Sequence, residues 1–206
     1  MLKGFAKVNT EVRREQITQA AFKVIAAHGV QGLTTSAIAR EVGISGANLY
    51  RHFKNKDEIL GSVADNIGAV LLRNLEAVQR GAAKNSLTRL RKLFARHLEY
   101  IEKCEGIPRL IFSEEIHVDN DGLKEKLLSA IASYIDGTAA LVREGQRQGA
   151  INAHIEARAA ALTMIGMIQI TVMRWSLGSF SFPLVKEGMK LWKNFETCIK
   201  AGRDPL

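Results

Sequence analysis

The stretch that decides the fold runs from Thr34 to Leu60 and reads TTSAIAREVGISGANLYRHFKNKDEIL. Thr34 or Thr35 can cap a short helix that continues through Val42, and Gly43 suits the left-handed backbone at a helix end. Ser45 can cap the next helix. Two short helices joined by a tight turn that contains glycine predict a helix-turn-helix, which places its second helix in the major groove of DNA.

Apolar spacing within this stretch predicts a small core that holds the two helices together. The core is filled by Ile38, Val42, Ile44 and Leu49, with Phe53 behind the second helix. The opposite face of the second helix is then free to meet another molecule. The alternative is a solvated helical hairpin with ordinary surface charge, but the coincidence of cap, turn, core and basic face favours DNA binding.

The outward face of the second helix offers groups that recognise nucleic acid. Asn48 can pair with adenine, and Arg51 can pair with guanine. Helix starts at Thr35, Ser45 and Lys56 would also aim backbone N–H groups at phosphates. The side chains that can reach phosphates or bases are those of Ser45, Tyr50, His52, Lys54 and Lys56.

Positive charge is concentrated in the first quarter of the 206-residue chain, whose formal net charge is +8. Met1 to Lys56 holds nine Lys and Arg against three Asp and Glu, whereas the other 150 residues hold 20 against 18. A local excess of this kind favours a polyanion, either nucleic acid or an anionic membrane surface.

The segment from Leu49 to Leu60, preceded by Thr34 to Ile44, resembles the DNA-binding domain of the TetR family of bacterial regulators. The motif match covers about Ile17 to Leu60. The resemblance implies a homodimer that binds operator DNA with two-fold character and usually represses transcription until a small-molecule effector enters the body. Position 51 varies in such proteins, so a base contact by Arg51 rests on its chemistry alone. The DNA contacts that the resemblance implies are Thr35, Ser36, Ser45, Gly46, Ala47, Asn48, Tyr50, His52 and Lys56.

The rest of the chain keeps a helical pattern, with apolar residues three or four apart and Gly, Pro or Asp-Asn breakers between segments. We therefore predict an all-α fold of about nine helices. An N-terminal three-helix helix-turn-helix domain, residues 1–54, is joined through the fourth helix to a larger helical ligand-binding and dimerisation domain, residues 55–206. The helices expected after the fourth one are about Ser86 to Lys103, Ile107 to Ile116, Leu123 to Gln148, Ile155 to Leu177 and Pro183 to Lys200.

The segment from Ile155 to Leu177 is apolar nearly all round, so its helix must be buried on two sides. A central core helix in a monomer would satisfy this requirement. The resemblance instead implies that this helix and the last one form a four-helix dimer interface, which would also supply the rigid spacing that two half-sites need. The expected interface residues are Ile165, Val172, Met173, Val185, Met189, Trp192 and Phe195.

A ligand pocket is expected between the later helices, where methionine and aromatic residues recur at helical spacing. Ordinary core packing is the alternative at each of these positions. Gln169, Arg174 and His97 are candidates to orient a ligand. The expected lining residues are Phe94, His97, Leu98, Ile101, Ile111, Phe112, Tyr134, Met164, Met167, Ile168, Thr171 and Trp175.

The sequence lacks the motifs of common catalytic and metal sites: no Walker loop, dinucleotide fingerprint, Gly-x-Ser-x-Gly elbow or His-Glu-x-x-His occurs. Glu114 and His117 are spaced as in helical di-iron proteins, but a second Glu-x-x-His is absent. Cys104 and Cys198 have neither disulfide-framework nor zinc spacing, and Cys104 is either a redox thiol or an inert cysteine. We therefore predict that the protein is not an enzyme and that it binds neither a metal ion nor a cofactor.

The most apolar run, Ala159 to Met173, has 15 residues and contains Gln169, so it is shorter than the roughly 20 that a membrane-spanning helix needs. We therefore expect a cytoplasmic protein without a membrane partner. The competing hypothesis is a helical small-molecule or metal-binding protein whose basic first helix lies on anionic lipid. The apolar residues Ile17 to Ile25 are needed to cover the helix-turn-helix core, which favours DNA.

Overall fold

The computed structural model describes residues 9–81, 83, 85–114 and 120–202. Within those ranges the chain forms nine helices and no strand, so the predicted all-α fold is confirmed. The helices are α1 Thr10–His28, α2 Thr35–Val42, α3 Gly46–Tyr50, α4 Lys56–Arg80, α5 Ser86–Glu102, α6 Gly106–Ile111, α7 Asp121–Arg147, α8 Ala157–Leu177 and α9 Leu184–Ile199.

Polar caps begin α2, α3 and α4, and those of α2 and α3 are the ones that the sequence predicted. Thr34 accepts a hydrogen bond from the backbone N–H of Ala37, and Ser45 accepts one from that of Asn48. Asn55 caps α4 by accepting from the N–H of Glu58 at 2.9 Å. These bonds satisfy N–H groups that a helix leaves unpaired at its start, and they fix where each helix begins.

The head consists of α1, α2 and α3 around one apolar centre. The side chains of Ile17, Ile25, Ile38 and Leu49 are fully buried, and Phe53 is 1% exposed. Gly43, which ends α2, has φ +76°, a left-handed conformation that glycine adopts without steric cost. The packing therefore fixes α3 against α2 and leaves the far side of α3 free.

Helix α4 joins the head to the body. It packs against α1 of the DNA-binding part and against α5 and α7 of the rest of the chain. Helix α6 also contacts α1, because Gly106 lies so close that an added Cβ would be 2.5 Å from the backbone oxygen of Phe22. The head and the body are thus in contact through both α4 and α6.

Helix α6 is shorter than the segment from Ile107 to Ile116 that the sequence predicted. It ends at Ile111, where Ser113 donates a hydrogen bond from its hydroxyl to the carbonyl of Leu110 and closes a turn. Ile116 lies outside the described residues. The side-chain bond competes with continuation of the helix, which periodicity does not reveal.

Helix α8 contacts α5, α6, α7 and α9. It is 21 residues long with a mean hydropathy of 1.3, so length and composition alone would allow it to cross a membrane. Its buried residues include Met164, Ile168 and Trp175. Contact with four neighbouring helices is the packing expected of a core helix, and it explains why the segment is apolar on more than one side.

Candidate DNA-binding surface and effector cavity

The outward side of α3 exposes the residues that sequence analysis assigned to DNA. Tyr50 is 55% exposed, and its hydroxyl lies 3.5 Å from the hydroxyl oxygen of Thr35 on α2. The start of α2 and the end of α3 therefore share one face. The other predicted DNA contacts are also exposed or half-buried rather than buried: Ser36, Ser45, Gly46, Ala47, Asn48, Arg51, His52, Lys54 and Lys56.

Lys56, at the first residue of α4, is half-buried and donates from Nζ to the carbonyl of Val30 at 3.2 Å. This bond orients the ammonium group while leaving its other protons available. A phosphate contact by Lys56 would use those protons, because an ammonium group carries three donors. The sequence did not indicate the bond to Val30.

His52 follows α3 and is surrounded by positive charge. Burial lowers its pKa, and the guanidinium groups of Arg13, Arg51 and Arg14 lower it further. Its Nδ1 is buried and has no hydrogen-bond partner among the described residues. The ring is therefore neutral at pH 7, and it can meet DNA through a hydrogen bond rather than through a positive charge.

Arg14 of α1 contacts both the residues that follow α3 and the first turn of α4. Its guanidinium contacts Glu58 of α4 at 3.1 Å, donates to the carbonyl of His52, and lies 4.0 Å from the ring centroid of Phe53. Glu58 in turn accepts from the backbone N–H of Lys54 at 2.7 Å, which is the main cause of its lowered pKa. The Glu58 carboxylate thus reaches the N–H of Lys54, while the side chain of the cap residue Asn55 accepts from the N–H of Glu58.

A cavity of about 90 Å³ lies in the body among α4, α5, α6, α7 and α8. Its walls are mainly aliphatic, and two of them, Ile67 and Leu71, belong to α4, the helix that begins in the head. The remaining lining residues are His97, Ile101, Ile107, Pro108, Ile111, Phe112, Leu127, Ala130, Ile131, Tyr134, Ile165, Ile168, Gln169 and Val172.

Three polar side chains, His97, Tyr134 and Gln169, interrupt this apolar lining. The rings of His97 on α5 and Tyr134 on α7 meet edge to face, with centroids 5.3 Å apart. Neither His97 Nδ1 nor the Tyr134 hydroxyl has a hydrogen-bond partner in the part of the chain that the structure describes. Burial lowers the pKa of His97 to about 4 and raises that of Tyr134, so both groups are uncharged at pH 7.

The cavity includes only part of the predicted ligand set. His97, Ile101, Ile111, Phe112, Tyr134 and Ile168 line it, as does Gln169. The other predicted residues do not line it: Phe94, Leu98, Met164, Met167, Thr171 and Trp175. Helical spacing placed Met164, Thr171 and Trp175 on one face of α8. The cavity instead faces the neighbouring row of Ile165, Ile168 and Val172.

Ile165 and Val172, expected at the dimer interface, are thus buried walls of this cavity. Trp192 is 1% exposed and lies beside Phe94 with ring centroids 5.5 Å apart, and Phe195 packs on Trp192. Burial inside one chain leaves these four side chains little surface for a partner. Met173, Val185 and Met189 are exposed or half-buried and keep that role open.

One side of α8 presents apolar side chains to the surface. Leu162, Ile170, Met173 and Leu177 form a row at helical spacing, and their exposed fractions range from 43% to 78%. We call this row the α8 stripe. Beside it, Phe112 and Leu128 are 44% and 59% exposed, and a shallow groove lined partly by Ile170 and Met173 runs between them. A contiguous apolar surface of this kind marks an interaction site.

No group of three or more His, Cys, Asp and Glu side chains suited to a metal ion occurs within residues 9–81, 83, 85–114 and 120–202. His117 lies outside those ranges, so the spacing of Glu114 and His117 is not described structurally. Cys104 is half-buried and its pKa is raised by burial, which opposes formation of the reactive thiolate. The inert interpretation of Cys104 is the one that its surroundings favour.

Residues 17–63, which contain α2, α3 and their capped turn, match the family model described as "Bacterial regulatory proteins, tetR family". Residues 86–181, which contain most of the body, match the model "Tetracyclin repressor-like, C-terminal domain". The chain belongs to the TetR family. It is a ligand-responsive DNA-binding regulator, and the membrane-surface alternative is not favoured.

Relatives of this TetR-family chain extend over most of its length. It is 26% identical over 171 residues to the fatty acid metabolism regulator protein of Bacillus subtilis strain 168, covering 82% of this chain and 87% of that protein. It is 23% identical over 189 residues to the nucleoid occlusion factor SlmA of Vibrio vulnificus, covering 91% and 96%. The family and the structural neighbours are transcriptional regulators rather than enzymes.

The TetR-family fold is also seen in a solved structure, the Bacillus subtilis transcriptional regulator FadR in complex with stearoyl-CoA. The two structures superpose with a TM-score of 0.75 at 24% sequence identity, over 90% of this chain and 98% of that one. This likeness establishes the arrangement of the helices.

Proposed function

We propose that this TetR-family chain is a cytoplasmic homodimeric repressor, released from its operator when a small, mainly apolar effector enters the cavity among α4 to α8. The observation that carries this proposal is that α4 borders both the cavity and the DNA-binding face. Its residues Ile67 and Leu71 line the cavity, while its first turn holds Lys56 beside the DNA-binding face. One rigid helix therefore touches both the proposed effector and the proposed operator contact.

An effector changes operator affinity only if it binds two conformations of the protein with different affinities. From Ile67 to Lys56 the axis of α4 extends roughly 16 Å, at about 1.5 Å per residue. A small tilt of α4 at the cavity thus displaces its first turn, and Glu58 carries that displacement to Arg14. A second contact, between α6 and α1, links another cavity wall to the head.

For the operator contacts we propose the exposed face around α3. Asn48 and Arg51 would read base edges, Tyr50 would reach both bases and phosphates, and Thr35, Ser36, Ser45 and Lys54 would mainly meet phosphates. We take residues 1–54 as the DNA-binding domain and 55–206 as the effector-binding and dimerisation domain, with α4 shared functionally between them.

For the dimer we propose that the α8 stripe packs against the same stripe of a second copy. A two-fold interface uses one surface patch on both subunits, and burying four exposed apolar side chains per chain provides the driving force. Met173 belongs to the stripe, while Val185 and Met189 are half-buried residues of α9, which packs against α8. The dimer would hold two copies of α3 at the spacing of successive major grooves.

The effector class is suggested by the walls of the cavity and by one relative. An aliphatic lining with few polar groups suits a ligand that is mostly hydrocarbon. The related FadR was solved with stearoyl-CoA, which has a long hydrocarbon chain. We therefore expect a hydrocarbon-rich effector, such as an acyl derivative.

The proposal is tested by measuring operator release in a variant whose cavity is filled. Ile131, a half-buried wall of the cavity, is replaced by tryptophan, and operator binding is followed by fluorescence anisotropy with a series of acyl-CoA probes, from short acyl chains to stearoyl-CoA. We expect the wild type to release operator and Ile131→Trp to bind operator normally without responding. Equal release from both proteins, or none from the wild type with stearoyl-CoA or shorter acyl-CoA probes, would overturn the cavity's role.

A further inference from the structure

We propose that the effector carries an uncharged hydrogen-bonding oxygen, a carbonyl or a hydroxyl, which binds between His97 and Tyr134, and that the cavity rejects a free carboxylate. This inference rests on the proposed function because it describes the ligand of the same cavity. It adds the chemical group that distinguishes an effector from other hydrocarbon-rich molecules.

The first observation is the pair of unpartnered polar atoms. Tyr134 is 1% exposed and His97 is 8% exposed, yet the Tyr134 hydroxyl and His97 Nδ1 have no hydrogen-bond partner among the described residues. Leaving a buried donor or acceptor unpaired costs on the order of 1–3 kcal/mol. Both side chains line the cavity, so a ligand placed there can supply the missing partner.

The second observation is the absence of charge from the cavity wall. Its lining, within the described residues, contains no Lys, Arg, Asp or Glu. His97 is the lining side chain that could carry a positive charge. Burial holds its pKa at about 4, so it is neutral at pH 7. A carboxylate bound here would lose its hydration without gaining a counter-ion, which is far more costly than burying a neutral group.

The chemistry of the two groups defines what they accept. A protonated tyrosine hydroxyl donates one hydrogen bond, and a neutral imidazole donates from one nitrogen while accepting at the other. A carbonyl oxygen can accept from both side chains. A hydroxyl can donate to one of them and accept from the other, so ketones, esters, thioesters and alcohols all fit, whereas a carboxylate does not.

The position of the cavity leaves room for a hydrocarbon chain beyond this polar end. Ile111, Phe112, Leu127, Ile131 and Gln169 border both the cavity and the apolar surface groove beside the α8 stripe. The two spaces therefore share these five walls. A ligand can therefore place its oxygen between His97 and Tyr134 and extend its chain toward Phe112.

The chain offers a matched control in Tyr100. Its hydroxyl is also buried and has no hydrogen-bond partner in the described part of the chain. Tyr100 lines a separate cleft between α1, α4 and α5 rather than the effector cavity. Tyr134→Phe and Tyr100→Phe thus each remove a buried hydroxyl without a hydrogen-bond partner among the described residues, and only the first removes it from the proposed site.

The test measures binding of 2-hexanone, 1-hexanol and hexanoate to the full-length protein by NMR titration at pH 7.5. We expect 2-hexanone and 1-hexanol to bind at least about tenfold more tightly than hexanoate. Tyr134→Phe should weaken 2-hexanone binding by roughly tenfold, and Tyr100→Phe should change it by less than about twofold. Because Tyr134→Phe only removes an unpaired buried hydroxyl, its thermal melt should match or exceed that of the wild type.

Three results would overturn the inference: hexanoate binding as tightly as the ketone, Tyr134→Phe binding the ketone as the wild type does, or no binding of any probe. Operator affinity measured in parallel separates this inference from the proposed function. Selective ketone binding that leaves operator affinity unchanged would support the inference and contradict the effector role. Operator release by a carboxylate in the cavity would support the effector role and contradict the inference.

Discussion

Arg14 of α1 and Glu58 of α4 form an ion pair of 3.1 Å that fastens the first turn of α4 to the DNA-binding head. Arg14 also donates to the carbonyl of His52 and lies over the ring of Phe53. The residues after α3 and the first turn of α4 therefore contact the same side chain, that of Arg14. We therefore expect a movement of α4 to be transmitted to α3.

Replacing Arg14 with methionine should weaken operator binding although Arg14 is not a proposed DNA contact. The variant loses a solvent-screened ion pair and a cation–π contact, together on the order of 1 kcal/mol of folding free energy. We expect a melting temperature a few degrees lower by circular dichroism and operator affinity reduced several-fold. Arg80→Met, which breaks an exposed pair with Glu76 at the other end of α4, is the control and should leave operator affinity unchanged.

Tyr50 and Lys54 should affect DNA binding in different ways. Tyr50→Ala removes an exposed side chain from the centre of the proposed interface, so we expect at least a tenfold loss of operator affinity with the dimer intact. Lys54→Ala should weaken binding to all sequences equally and reduce the slope of log K against log salt by about one. Lys190→Ala on α9 is the matched control, and an equal effect from it would contradict the assignment of the DNA face.

A charge within the α8 stripe should separate the two subunits. Ile170 is 50% exposed, so Ile170→Asp leaves the folded chain intact but places carboxylates in the proposed interface. We expect sedimentation to show a monomer and operator affinity to fall by at least tenfold. Val12→Asp introduces the same charge at an equally exposed apolar residue of α1 and should remain dimeric. A dimeric Ile170→Asp would show that another surface joins the subunits.

His97 should make stability depend on pH below neutrality. Its folded-state pKa of about 4 lies below the ordinary value of 6.5, so the unfolded chain binds a proton more readily than the folded one. Stability is therefore lost as pH falls from about 6.5 toward 4, by roughly 2–3 kcal/mol at pH 4.5. Urea unfolding at pH 7.5 and at pH 4.5 measures the effect. The free energy of unfolding of the wild type should fall between these pH values by this amount more than that of His97→Leu. Equal losses in both proteins would contradict the neutral, buried state of His97.

The sequence predicted the head closely because several local signals coincide there. Thr34, Ser45 and Asn55 cap helices, Gly43 ends one, and Leu49 is buried as its spacing requires. Each signal depends on residues a few positions apart. Such local rules need no knowledge of the distant parts of the chain.

The sequence was a poorer guide to the cavity because α8 is apolar on several sides. Periodicity showed that this helix is buried, but it did not show which row faces α5 and α9 and which faces the cavity. Ile165 and Val172 line the cavity, whereas Trp175 lies against Phe180 in the packed core. Ile67 and Leu71 of α4 were missed because their spacing fits any core position. The orientation of α8 is set by contacts with four helices, which only the structure supplies.

The most direct test of the account is selection of duplexes from a random DNA pool by the wild-type protein, followed by footprinting. We expect an enriched sequence with two-fold symmetry, whose half-sites lie about one turn, or a whole number of turns, of the DNA helix apart. Substitution of Asn48 or Arg51 should relax preference at a single position within each half-site. If no sequence is enriched, or if the wild type and Tyr50→Ala enrich the same pool equally, the α3 face is not a sequence-specific operator reader.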